Sequence, residues 1–206
     1  MSSSNSFKAL SLLMMIAFAI VQTTMAGDPD ILTDFIAPIG VPINGSFFTF
    51  TGMRALIDKD PPPTFHALKA SKAEFPALDG QSVSYAALQF PPKSVNPPHT
   101  HPRSAELLFV VQGSLQVGFV DTTDRLFTQT LQTADMFIFP KGLVHFQFNA
   151  DAKNPALAIS AFASASAGLV SLPITLFNTS IDDNVLALSF KTDVATIQTL
   201  KKGFRP

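Results

Sequence analysis

Seven short hydrophobic segments follow one another between residues 82 and 162, and they limit the possible folds more than any other feature. Each is rich in Val, Ile, Phe or Leu, and turn residues such as Gly113, Asp121–Asp124 and Gly142 separate them. No helical stretch lies between consecutive segments, which disfavours an alternation of strands and helices. Many short strands at this spacing predict an all-β sandwich or barrel. The predicted strands are 82–90, 106–112, 115–120, 126–131, 136–140, 144–149 and 156–162.

Two histidines and a glutamate lie close together in the segment Pro97–Gly113. His99 and His101 are two residues apart, so on an extended strand both side chains point to the same face. An unbroken strand would place Glu106 on the opposite face, but Pro102 and the polar residues after it predict a bend that returns it. Imidazole and carboxylate suit several divalent first-row ions, so this segment is a candidate metal site. The alternative is a polar strand end with two surface histidines.

A third imidazole comes from His145, which follows a Pro-x-Gly turn at Pro140–Gly142. Strand alternation divides this segment into two faces, His145, Gln147 and Asn149 on one and Val144, Phe146 and Phe148 on the other. If the histidine face looks into a barrel, the phenylalanine face needs another cover, most simply a second subunit. The remaining histidine and glutamate, His66 and Glu74, are interpreted as surface residues.

The first 26 residues have the plan of a secretory signal peptide. A short polar start with Lys8 leads into the apolar run Ala9–Val21, and the small residues Thr24 and Ala26 then flank Met25. The apolar run is shorter than the roughly 20 residues that a membrane span needs. We therefore expect a secreted protein without a membrane span, whose mature chain starts near Gly27.

The charge and the cysteine content limit which partners the chain can bind and which interactions can stabilise its fold. Without Lys8 the chain has 13 basic and 15 acidic residues, a net charge of −2, and it has no basic patch. This argues against a nucleic-acid partner. There are no cysteines, so packing, a metal or oligomerisation must replace the disulfides common in secreted proteins. Twenty phenylalanines point to packing.

The chain divides into four predicted parts: a signal peptide (1–26), an N-terminal arm with edge strands (27–81), a barrel core (82–172) and a C-terminal helical segment (173–206). Proline density in the arm disfavours regular structure there. In the last part, Asp182-Asp183 can open a helix that runs to Phe190, and Thr192 or Asp193 can cap another that ends before Gly203. Asn44 and Asn178 begin triplets of the N-glycosylation pattern.

The two histidine segments resemble the two motifs of the cupin superfamily, and specifically the germin-like proteins of plants. The matching residues are His99, His101, Glu106 and Gly113 in the first motif and Pro140, Gly142, His145 and Asn149 in the second. The sequences of segments 96–106, 139–149 and 171–177 also resemble those of germin-like proteins. Lys93 and Ala134 stand where each motif normally begins with glycine, which puts the turn geometry there in question.

The resemblance implies a jelly-roll β-barrel, secretion to the extracellular cell wall space (the apoplast), and a homohexamer built as a trimer of dimers. It also implies Mn(II) held by His99, His101, Glu106 and His145, with open positions for water or substrate. Germins usually tie the N-terminal arm with a disulfide, whose cysteines would align near Ile36 and Phe48 here. We predict that these two side chains pack against each other instead.

Three neutral imidazoles and one carboxylate leave a divalent ion with a net positive charge, able to bind a small anion. Donor chemistry alone does not choose between manganese, iron, nickel and zinc; the family resemblance favours manganese. The candidate reactions are dismutation of superoxide and oxidation of oxalate by dioxygen. A non-enzymatic secreted metal-binding, receptor or storage-like protein is the alternative.

The resemblance also bears on the residues around the metal. Oxalate oxidase germins place two asparagines near it, of which one matches Asn96 and the other aligns with Ala86, which weakens the oxalate hypothesis. Asn96, Gln147 and Asn149 are the candidates for supporting the ligands. The alternative for Gln147 is that it lines the barrel, and an Asn that ends a strand often closes a turn.

Overall fold

A computed structural model describes residues 28–57 and 61–204 of the chain. Its strands are β1 His66–Ala70, β2 Ser84–Phe90, β3 Val95–Thr100, β4 Glu106–Gln112, β5 Ser114–Val120, β6 Leu126–Gln132, β7 Met136–Phe139, β8 Val144–Phe148, β9 Ala156–Phe162 and β10 Val170–Ser171. The helices α1 Leu172–Phe177, α2 Asp183–Phe190 and α3 Val194–Phe204 follow. Two antiparallel sheets have the orders β1-β2-β9-β4-β7 and β10-β3-β8-β5-β6. The all-β jelly-roll prediction is confirmed.

Each of the seven predicted strands is present, with ends that shift by two residues at most. Strand β3 was harder to anticipate because Pro97 and Pro98 lie inside it. Prolines are tolerated there because the pairing of β3 with β8 shifts register between Asn96 and His99, which is a β-bulge. Asn96 lies opposite Gln147 and His99 opposite His145. The bulge therefore places Asn96 and His99, which are three residues apart in the chain, on the same face of the strand.

The core lies between the two sheets and is formed by alternate residues of the strands, as the pleat requires. Its buried members are Ala86, Leu88, Phe90, Leu108, Val110, Leu115, Val117, Leu131, Phe139, Ala156, Ala158, Phe162 and Ala167. The inward face of β8 is polar: His145 and Gln147 are buried, while Val144, Phe146 and Phe148 are half-buried. The histidine face of β8 therefore looks into the barrel.

The two positions at which glycine is replaced keep the glycine conformation. Lys93 has φ +56° and Ala134 has φ +74°, both in the left-handed region. L-residues with a Cβ pay roughly 1–2 kcal/mol to occupy this region. The turns are thus preserved at a cost in backbone strain.

The C-terminal segment is helical, with one boundary different from the prediction. Asp182 caps α2 by accepting hydrogen bonds from the backbone of Asn184 and Val185. Helix α3 does not stop before Gly203 but continues to Phe204. Lys201 and Lys202 in its last turn interact favourably with the helix dipole, which helps to carry the helix past the glycine.

The outer face of the first sheet carries a continuous group of exposed apolar side chains. Leu107 lies opposite Ile138, and Phe109 lies opposite both Met136 and Ile159 in the strand register. The exposed fraction of these residues ranges from 37% to 58%. The sequence had predicted the uncovered apolar face on β8, but those residues are half-buried. The larger uncovered face lies on β4, β7 and β9.

The N-terminal arm is attached at its start by Asp28, whose carboxylate accepts 2.6 Å hydrogen bonds from Ser164 Oγ and from the Ala165 backbone. Further along, Phe48 packs edge-on against Phe35, with ring centroids 5.1 Å apart. A contact between Ile36 and Phe48 themselves stays a prediction. The signal-peptide prediction falls on residues outside the described part of the chain. Within the described part, no helix has the length and apolar character to cross a membrane.

Candidate metal centre

Four side chains from separate parts of the chain converge inside the barrel: His99, His101, Glu106 and His145. One ligand atom from each lies within 4.8 Å of all the others. Strands β3, β4 and β8 supply three of them, and His101 follows directly after β3. A turn at Pro102-Arg103 brings Glu106 back toward the histidines, as the sequence predicted. All four side chains are buried, with at most 8% of the residue exposed.

Each imidazole is held in orientation by a backbone carbonyl. Nδ1 of His99 and Nδ1 of His145 lie 2.8 Å from the carbonyl oxygens of Pro97 and Leu143, respectively. Nδ1 of His101 bonds to the carbonyl of Gly168. Because a carbonyl oxygen only accepts, Nδ1 must carry the proton in each neutral ring, which leaves the Nε2 lone pair for a metal.

The carboxylate of Glu106 is divided between two tasks. Oε1 accepts hydrogen bonds from Ser160 Oγ at 2.6 Å and from Gln147 Nε2 at 3.1 Å. Oε2 faces the imidazoles, at 3.1 Å from His101 Nε2, 3.0 Å from His145 Nε2 and 4.0 Å from His99 Nε2. One oxygen is thus anchored to the protein and the other is directed at the cluster.

Aromatic rings fix the positions of two imidazoles. Phe139 stacks on His145 with ring centroids 4.5 Å apart, and Phe162 meets His101 edge-on at 4.7 Å. Phe139 is fully buried beside the cluster, because β7 alternates and turns this residue inward.

The electrostatics keep Glu106 ionised and His99 neutral. Burial by itself would raise the pKa of Glu106, but its interactions with His101 and His145 outweigh that effect and hold the pKa well below its usual range. Burial, and then the charge of His145, lowers the pKa of His99 to about 4. An ionised carboxylate and a neutral imidazole are the protonation states that bind a metal.

The geometry fits a divalent metal ion. Two ligands at right angles, each about 2.1 Å from a metal, lie about 3 Å apart, and two opposite ligands lie about 4 Å apart. The Oε2 to Nε2 separations of 3.0, 3.1 and 4.0 Å fall in this range. With no cysteine in the chain, the donor set is imidazole and carboxylate alone, which suits manganese, iron, nickel and zinc.

Of the three predicted supporting residues, Gln147 contacts the cluster directly and Asn96 acts on it through Gln147. Asn96 Nδ2 donates a 2.7 Å hydrogen bond to Gln147 Oε1, and Gln147 in turn donates to Glu106. Asn149 has another role: its amide donates to the carbonyls of Phe90, Pro91 and Asn154. Those bonds close the loops at the end of β8, which was the alternative interpretation. His66 and Glu74 are exposed, as predicted.

The loop that orients His101 is itself tied down by Arg103, whose guanidinium donates to the carbonyl and the hydroxyl of Ser166. Gly168 has φ +75°, and a Cβ there would lie 2.9 Å from Arg103 Nη2. Only glycine therefore fits this position while the arginine is in place. Arg103 is itself exposed, yet it supports the metal cluster through this loop.

Ser160, Phe139, Phe162 and Gly168 were not identified from the sequence as parts of the site. A serine inside the apolar strand 156–162 is the one available signal, since a buried hydroxyl needs a hydrogen-bond partner. Its partner is 54 residues away in the chain. Local patterns do not reveal that pairing.

A cavity of about 230 Å³ opens beside the cluster. His99, His101, Glu106 and Asn96 line one part of it, and Ala86 lines another. Position 86, where oxalate oxidase germins carry their second asparagine, therefore does face this cavity. Its side chain in this protein is the methyl group of Ala86.

Comparisons with known proteins agree with this geometry. Residues 63–198 match the Cupin family. The chain is 58% identical to germin-like protein 9-3 of Oryza sativa subsp. japonica, covering 96% of this chain and 98% of that one. It is 38% identical to germin-like protein subfamily 2 member 1 of Arabidopsis thaliana, with 96% and 97% covered. A solved structure of oxalate oxidase is similar with a TM-score of 0.77 and 30% identity, covering 86% of this chain and 98% of that chain.

Proposed function

This chain is a germin-like protein of the cupin family, and we propose that it is a secreted manganese protein that dismutates superoxide. The observation that carries the proposal is the convergence of three carbonyl-anchored imidazoles and one anchored carboxylate on a single point. His99, His101, Glu106 and His145 would hold the ion.

Manganese is proposed from the family resemblance, since the donor set alone is compatible with several metals. A bound manganese ion supplies one-electron redox chemistry, in which two superoxide ions and two protons give dioxygen and hydrogen peroxide. The protein contributes a site with a net charge of +1, from a divalent ion and one carboxylate, which attracts a small anion. It also holds three imidazoles in fixed orientation through backbone carbonyls, so that the ligands need not rearrange between the two charge states.

Superoxide needs no further binding groups, which is why the cavity supports this reaction better than oxalate oxidation. The similarity to oxalate oxidase keeps that reaction as the second candidate. Ala86, however, offers a methyl group to the cavity where a hydrogen-bond donor to a dicarboxylate would be needed. A binding protein without turnover is the remaining alternative.

The chain is further proposed to be exported to the apoplast and to form a homohexamer. The outer face of the first sheet, with its exposed Leu107, Phe109, Met136, Ile138 and Ile159, is the proposed self-association surface, because contiguous exposed apolar side chains of this kind mark interfaces. Asn44 and Asn178 are both exposed, as N-glycosylation requires.

The experiment is a superoxide assay on the secreted, manganese-loaded protein beside an oxalate assay on the same sample. We expect the protein to dismutate superoxide. His145→Ala is expected to abolish this activity, whereas Asn149→Asp is expected to keep the wild-type activity per folded molecule. Oxalate consumption above that of the His145→Ala variant would favour the second candidate. Absence of both activities in fully loaded protein would support the binding protein.

A further inference from the structure

The cavity beside the metal cluster is larger and more apolar than superoxide requires. Its volume of about 230 Å³ is roughly seven times the share of one water molecule in the liquid. Its wall includes the apolar side chains of Phe65, Ala67, Ala86, Leu88, Phe162 and Leu169. A pocket with an apolar wall and a few polar groups at one end is typical of a site for a small organic molecule.

At the buried, inner end of the cavity lie three of the four residues of the metal cluster and the half-buried amide of Asn96. At the exposed end, Lys69 and Glu74 line the opening together with Ser71. Ser84, Tyr85 and Ser166 line the cavity as well. A metal ion in the cluster therefore attracts an anionic head group to the inner end, and the body of the ligand must lie against the apolar wall.

The charges at the opening offset each other. Lys69 lies opposite Ala86 in the register of β1 and β2, so both project from the same face of the sheet. Glu74 is held by the backbone and hydroxyl of Ser71, at 3.0 and 2.6 Å, and its charge interacts with that of Lys69. A second carboxylate on a ligand would meet one positive and one negative charge there, with no net attraction.

We propose that this cavity binds a small monocarboxylate with a compact apolar body, such as a branched aliphatic or an aromatic acid. The carboxylate lies at the metal and the apolar body lies against Leu88, Phe162 and Leu169. The inference rests on the proposed function in one respect, because the carboxylate requires the bound cation. Dicarboxylates are disfavoured by the methyl group of Ala86 and by the paired charges of the opening.

The test is a calorimetric titration of the manganese-loaded protein with formate, acetate, 3-methylbutanoate, benzoate and succinate. Each buried methyl or methylene group strengthens binding roughly fourfold, so 3-methylbutanoate and benzoate are expected to bind at least tenfold more tightly than formate. Succinate is expected to bind more weakly than 3-methylbutanoate, although the two are similar in size.

Leu169 allows a variant that does not disturb the core, since 51% of it is exposed. Leu169→Asn is expected to weaken binding of benzoate several-fold and to leave formate unchanged. The matched control is Leu188→Asn, at a residue that is 81% exposed on α2 and does not line the cavity. It is expected to change neither affinity.

The outcomes separate this inference from the proposed function. A loaded protein that binds all five anions equally, or prefers succinate, overturns the inference and leaves the metal site in place. An equal loss of benzoate affinity in both leucine variants also overturns it. A protein that takes up no metal overturns the inference and the proposed function together.

Discussion

The hydroxyl of Ser160 donates a 2.6 Å hydrogen bond to Oε1 of Glu106, in the buried space where β9 meets β4. With the amide of Gln147 on the same oxygen, it leaves Oε2 directed at the three imidazoles. A ligand fixed in this way loses little freedom when a metal binds. Outer partners of this kind usually change metal affinity 10- to 100-fold when they are removed.

We expect Ser160→Ala to weaken metal binding by roughly 10- to 100-fold, because one of the two anchors of Glu106 is lost. Competition with a chelator of known affinity measures the change. Ser160→Thr keeps the hydroxyl and is expected to recover part of the affinity. Ser189→Ala, at an exposed serine on α2 whose hydroxyl donates to the Val185 carbonyl, is the matched control. Equal affinities in Ser160→Ala and the control would show that Ser160 does not position the ligand.

Glycine is expected to stabilise the protein at positions 93 and 134, the two left-handed positions where the cupin motifs normally carry it. Lys93→Gly and Ala134→Gly each relieve the Cβ strain at positive φ and are expected to raise the free energy of unfolding by about 1 kcal/mol. Urea denaturation measures it. Lys153→Gly, at an exposed lysine outside the positive-φ residues, is expected to lower the same quantity or leave it unchanged. Destabilisation by all three variants would contradict the strain argument.

Acid is expected to destabilise the metal-free protein through His99. Folding lowers the pKa of this imidazole from its ordinary 6.5 to about 4, so between these values the unfolded chain binds more protons than the folded one. The free energy of unfolding therefore falls as the pH drops from 6.5 to 4, by about 3 kcal/mol from this residue. Urea midpoints across this pH range measure the effect.

The variant His99→Gln is expected to flatten that part of the profile, because glutamine does not titrate. His66→Gln, at the exposed histidine on β1, is the control and is expected to keep the full slope. A slope that persists unchanged in His99→Gln would assign the acid sensitivity to other groups.

The outer face of the first sheet is expected to hold the subunits together. Ile138→Asp places a charge in the middle of the exposed apolar group and is expected to break the proposed hexamer into smaller species in sedimentation velocity. Leu126→Asp, on the other sheet and 55% exposed, is the comparison variant and is expected to keep the hexamer. Dissociation by Leu126→Asp alone would place the interface on the second sheet.

The sequence was sufficient for seven of the ten strands and for the metal-ligand candidates, because both have local signals. Alternation and turn residues define strands such as β4 and β9, and the His-x-His spacing defines a common face. The bend before Glu106 could also be predicted, since Pro102 interrupts the strand. The polar inward face of β8 follows from the same alternation once His145 is assigned to the interior.

The features of the site that the sequence did not predict depend on contacts between residues that are far apart in the chain. Ser160 reaches Glu106 only because β9 pairs with β4, and Gly168 reaches His101 only because the loop after β9 folds back over it. The left-handed turns at Lys93 and Ala134 carry no sequence signal, because the residue that normally marks them is absent. Gly203 predicts that α3 ends before it. That prediction is wrong, because the helix continues to Phe204.

The most direct test of the metal centre is the metal content of the purified secreted protein, measured by native mass spectrometry and by elemental analysis of the same sample. We expect one manganese ion per chain in the wild type and none in His145→Ala, with both proteins folded by circular dichroism. A His145→Ala variant that keeps a full equivalent of metal, or a folded wild type that binds none at saturating Mn(II), would contradict the account.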